Sequence, residues 1–180
     1  MMAPIRRSGL GRCASMILLS LLTSAVHSDD GLFLCTADEQ LVFGCTLGNR
    51  KISICASAPL TADTDHVQYR FGTRQRLEQA YPPHPLPPAE RFFLSTTGYA
   101  GGGASAIRFR IDGQDHFVFE QMRRTHFAEG EPHHAEFMAG LVVHGEGQNY
   151  TLWCDENDAS LRRIAYDIFP REAYPLDRLP

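Results

Sequence analysis

The sequence predicts a mainly β fold, an antiparallel sandwich or a barrel-like curled sheet, with a short C-terminal helix. Three observations carry this expectation. Short apolar or alternating runs recur along the chain, breaks rich in glycine, proline and Asp-Gly separate them, and apolar residues take helical spacing only after Cys154.

The opening runs cover residues 32–35, 40–45 and 51–55, divided by polar breaks at 36–39 and 48–50, and read as a meander. Ile52 and Ile54 alternate with Ser53 and Cys55, which predicts one buried face and one covered face. Residues 66–71 and 76–81 continue the pattern. Pro82, Pro83, Pro85, Pro87 and Pro88 then remove backbone donors and fix φ, so an extended surface loop is expected there. Residues 91–97 restart the strands, and Gly101, Gly102 and Gly103 predict a sharp bend or bulge.

Runs 106–111 and 114–121 flank Asp112-Gly113, the dipeptide of a two-residue type I′ turn. That turn opposes Ile111 to Gln114, Arg110 to Asp115, Phe109 to His116 and Arg108 to Phe117, making Arg110 and Asp115 a charge pair. A polar stretch at 123–133 precedes a second hairpin, 135–144 with 148–154, joined through Gly145 and Gly147. Beyond it Asp158 can cap a helix carrying Leu161, Ile164, Ala165 and Ile168 at helical spacing. Pro170 ends that helix, and the tail is expected to be irregular, ordered through Phe169 and Tyr174.

Residues 1–28 read as a secretory signal. Arg6, Arg7 and Arg12 supply the basic start, an apolar run extends from Met16 through Leu22 toward Val26, and small residues precede a cut after Ser28. The run is about a dozen residues against the ~20 needed to cross a bilayer, and no later stretch is longer. Arg6-Arg7 raises twin-arginine export, although ordinary unfolded export suits a disulfide protein better. Residues 29–180 are then one exported domain, expected in the periplasm without a transmembrane segment. Losing three of 17 basic residues against 21 acidic ones moves the formal net charge from -4 to -7. Such an acidic chain is a poor partner for nucleic acid and suits a cationic one.

Cys13 leaves with the signal, so Cys35, Cys45, Cys55 and Cys154 remain, and in an oxidising compartment two disulfides follow. Four cysteines allow three pairings, which spacing does not decide. The expectation adopted is Cys45 with Cys55 and Cys35 with Cys154, the second tying the first strand to the last. The wide spacing and the lack of CxxC speak against metal or redox chemistry, and no cofactor is expected. His133 and His134 are adjacent and would point to opposite faces of a strand, so neither they nor His66, His84, His116, His126 and His144 define a metal site. Asp155, Glu156 and Asp158 lack the glycine and distant glutamate of a calcium loop. No GxSxG or HExxH pattern occurs, so catalysis is not expected. The glycines 101–103 lack dinucleotide spacing; their functional reading is a side-chain-free recognition loop with Tyr99 and Ser105 as flanking contacts.

The stretches Phe43-Gly44-Cys45, Lys51 to Ala56, Tyr69 to Gly72 and Tyr99 to Gly103, followed by Arg108-Phe109, resemble a group of small exported bacterial β proteins of unknown function. Export, cysteines near both ends and the Gly and Ser loop 99–105 more distantly resemble the periplasmic lysozyme inhibitors, disulfide-linked β domains that insert a small-residue loop into the muramidase cleft. That resemblance implies a non-enzymatic inhibitor of a cationic cell-wall hydrolase, with Tyr99, Gly101, Gly102, Gly103 and Ser105 as the recognition loop. The alternative is a small-ligand-binding or envelope-scaffold protein. The oligomeric state is left open.

Overall fold

The computed structural model describes residues 33–58, 66–89, 91–125, 134–155, 160–175 and 177–180, and in them the alternating runs become strands of two sheets. The signal segment 1–28, His126, His133, Glu156 and Asp158 lie outside the described residues. In sheet I, β1 (Glu39–Leu47) and β2 (Arg50–Ser57) form a hairpin turned through Gly48, whose φ is +62°. β3 (Val67–Gly72), β4 (Leu77–Leu86) and the two-residue β10 (Ser160–Leu161) complete the order β10-β1-β2-β3-β4. Sheet II contains β5 (Phe93–Tyr99), β6 (Gly102–Ile111), β7 (Gln114–Thr125), β8 (His134–Gly145), β9 (Gln148–Trp153) and β11 (Arg171–Glu172), in the order β11-β5-β6-β7-β8-β9. Every pairing is antiparallel except β11 with β5. No ladder joins the two sheets among the described residues, so the fold is a sandwich and not a barrel.

Period-2 alternation puts Ile52, Ile54, Tyr69, Leu94, Ile107, Phe109, Val118, Leu141 and Val143 into one core between the sheets. The Phe109 ring lies 4.6 Å from Tyr69 and 5.5 Å from Phe92, and Phe92 stacks on Phe169 at 5.7 Å. The expected β6–β7 register holds at every pair from Ile111–Gln114 to Arg108–Phe117, and Arg110 Nε donates to Asp115 Oδ1 at 2.9 Å. The second hairpin is also present, with Gly147 at φ +86° in its turn.

Four expectations are corrected. The disulfides are Cys35–Cys55 and Cys45–Cys154, not Cys45–Cys55 and Cys35–Cys154. Cys45 stands opposite Ile52 on the β1–β2 ladder and Cys55 three residues further along, about 10 Å away, beyond the reach of a bridge. Residues 33–35 are not a strand but lie across the outer face of sheet I, Phe33 resting on Gly44, where a Cβ would meet its ring at 2.6 Å. The prolines form a loop only at Pro87 and Pro88: Pro82, Pro83 and Pro85 lie inside β4, which tolerates their missing donors because it is the sheet edge, and its ladder shifts register between Val67 and Tyr69. The helix shrinks to α1 (Ile164–Ile168), with Arg163 at its N-cap making no side-chain cap and Leu161 paired with Phe43 in β10. Backbone pairing with β1 outcompetes helical spacing there.

The tail is ordered as well. Tyr174 and Leu179 cover Ala106, Phe117, Phe119 and Val142 on the outer face of sheet II. Arg178 holds them down, 2.8 Å from Asp115 and over the Phe117 ring at 4.9 Å.

Candidate functional site

The strands of sheet II are longer than the sandwich they build. Cross-strand register arranges their inner face in rows, and Leu94-Ile107-Val118-Leu141-Leu152 is the last row belonging to the core. The next row, Thr96-Ser105-Glu120-Ala139, and the one beyond it, Gly98-Gly103-Met122-Phe137, line an open groove with a volume of ≈ 970 Å³. Their small residues leave space where the core rows carry leucine and isoleucine. Cys154, Asp155, Tyr166 and Arg171 form the remaining wall, where the chain crosses to sheet I. The Cys45–Cys154 bridge and the Asp155 N–H donated to Thr46 O at 2.8 Å fasten that crossing.

Glu120 lies in the middle of this floor. Its Oε2 accepts the Leu161 N–H at 2.9 Å, and burial pushes its carboxyl above the usual carboxylate range against the pull of that hydrogen bond. Opposite it across the β6–β7 ladder, the Ser105 hydroxyl lies 2.8 Å from the Tyr166 hydroxyl. Arg171 stacks on the Tyr166 ring at 5.0 Å and donates to the Tyr166 carbonyl at 3.3 Å. On the far side Phe137 is 74% exposed, a large apolar surface, while the Trp153 ring turns to the outer face against Phe119 at 5.7 Å.

The expected recognition residues are brought together, but as strands and not as a free loop. Only Ala100 and Gly101 form the turn, with Gly101 at φ +85°. Tyr99 folds over Gly102 on the outer face, donating to Met122 O at 3.1 Å and accepting from Gln121 Nε2 at 2.9 Å. A Cβ on Gly102 would meet the Met122 carbonyl at 2.0 Å, so this glycine serves close strand packing. Gly103 and Ser105 face the groove, and Ser105 is 8% exposed beneath Tyr166. Glu120, Phe137 and Tyr166 were not singled out from the sequence. Extending the Asp112-Gly113 register to Ser105 finds Glu120; nothing local marks the other two.

The histidines disperse. His116 stacks on Phe109 in the core at 5.3 Å, where burial lowers its pKa; His144 lies 2.7 Å from Arg178 O, and His66 lies 3.2 Å from Glu39. Cys35, Glu39 and Cys55 come within 4.8 Å of one another, yet both sulfurs are spent in a disulfide and Arg70 grips the Glu39 carboxylate with both Nη atoms. No helix among the described residues is long and apolar enough to cross a membrane. Comparison with protein-family models, curated proteins and solved structures gives no match.

Proposed function

We propose that this chain is an exported, non-enzymatic binding protein that receives its partner in the open groove of sheet II. The observation that carries the reading is the open groove over two inner-face rows of sheet II, rich in small residues and bordered by the exposed Phe137, with Leu161 of β10 and Tyr166 reaching over only part of it. Ser105 and Glu120 line the groove, but no histidine and no free thiol does among the described residues, which supports binding over nucleophilic catalysis. The acidic charge of residues 29–180 and the resemblance to lysozyme inhibitors make a cationic cell-wall hydrolase of the periplasm the concrete partner. A small ligand is the second reading, supported by a groove volume within the usual range for such sites.

The protein spanning 29–180 is tested for binding and inhibition against a panel of purified lysozymes and other cationic wall hydrolases. Gly98→Arg is the informative variant, because nothing lies within 4 Å of a Cβ there and the arginine fills the groove without breaking a strand. Binding should weaken about tenfold in Gly98→Arg and stay unchanged in Gln75→Arg, an exposed substitution of equal charge. A panel with no binder at all removes the hydrolase partner. Gly102→Arg is unsuitable, since its clash with Met122 O would damage the hairpin itself.

A further inference from the structure

We propose that the groove binds an extended peptide segment of its partner through a lysine or arginine side chain anchored on Glu120; this rests on the groove being the binding site. The direction of insertion is then the reverse of a loop entering the partner's cleft. Two other sheltered carboxylates in this fold are each matched by arginine. Glu39 is held by both Nη atoms of Arg70, and Asp115 is met by Arg110 at 2.9 Å and Arg178 at 2.8 Å. Glu120 is also withdrawn from water, yet its one described partner is the Leu161 N–H, and no described cation forms an ion pair with it. A sheltered carboxylate without a counter-ion is costly, and a ligand that supplies the cation recovers that cost.

The floor admits such a cation. Ser105 and Ala139 flank Glu120 across the two ladders, and both are short. Phe137 and Met122, paired in the next inner-face row, offer apolar surface to the aliphatic stem of a lysine or arginine. Length favours a peptide over a free amine. The groove runs from Thr96 on β5 to Trp153 on β9, and four strand spacings of about 4.8 Å make about 19 Å, the reach of about six extended residues.

Trp153, the only tryptophan in the chain, packs on Phe119 on the outer face, so occupancy of the inner-face groove is read by isothermal titration calorimetry. Three blocked peptides of about six residues are titrated, identical except for a central lysine, norleucine or glutamate, with n-butylamine as the small-amine arm. The lysine peptide should bind saturably, and norleucine or glutamate should weaken binding about tenfold or more. Glu120→Gln, which keeps an acceptor for the Leu161 N–H, should cause a similar loss, as should Ala139→Lys, which sets a cation opposite Glu120. Equal affinity for lysine and norleucine peptides overturns the proposal, as does unchanged binding in both variants or a butylamine response as tight as the peptide's. Hydrolase binding that is lost in Gly98→Arg but kept in Glu120→Gln would preserve the groove and reject the basic anchor.

Discussion

Glu39 illustrates how one residue can be read for composition but not for role. In the sequence it belongs to a polar break, whereas in the fold it is 6% exposed beside Arg70, with Arg70 Nε bonded to Gln68 Oε1 at 2.7 Å and Thr36 N–H donated to its carboxylate at 2.8 Å. Burial alone would push this carboxyl up. The hydrogen bonds from Arg70 and Thr36 outweigh burial and bring it to about 2 from an ordinary 4.5. A folded value below the unfolded one means the stabilisation is complete above about 4.5 and is lost as pH falls toward 2. Urea midpoints measured down this range should fall for the native chain, and Glu39→Gln, already destabilised at neutral pH, should fall less steeply. The glycine cluster teaches the same lesson. Its special backbone was legible, but only the fold shows Gly101 turning, Gly102 packing and Gly103 opening the groove.

At the scale of elements, legibility followed local chemistry. The Asp112-Gly113 turn sets the β6–β7 register because two residues at positive φ, +49° and +82°, leave one way to pair the flanking strands. The prolines were legible as donor-free residues, yet whether such a segment leaves the sheet or forms its edge depends on a neighbour, here β3. The cysteine pairing was not legible, since a bulge between Leu41 and Phe43 and the path of residues 33–35 decide which sulfurs meet. The two bridges differ in reach, with separations of 20 and 109 residues. On the chain-entropy model they contribute about 3 and about 4.7 kcal/mol respectively. Replacing Cys45 and Cys154 by alanine should therefore lower the denaturation midpoint more than replacing Cys35 and Cys55. It should also loosen the groove wall, seen as a change in Trp153 fluorescence that the other pair does not produce.

For the whole molecule, each sheet has an outer face that its own alternation cannot protect. Residues 33–38 cover sheet I and the C-terminal tail covers sheet II, so the two ends of the described chain act as opposite lids on one sandwich. Arg178→Ala removes both the Asp115 ion pair and the contact over Phe117, and should cost about 1–2 kcal/mol in thermal or urea denaturation. A hydrophobic dye should then bind the uncovered Phe117 and Phe119 face; an unchanged melt without dye binding would show that the tail is not held by Arg178. The groove belongs to this scale too. Strand periodicity, the hairpin registers and the two-disulfide cysteine set were determined by the sequence itself, because each depends on residues close in the chain or on their number. Which sulfurs pair, which prolines lie in a strand, and where sheet II extends past sheet I to set Glu120 in the floor of an open groove were decided only in the tertiary structure. Those outcomes follow from how far one sheet extends past another, a relation between segments that no local pattern encodes.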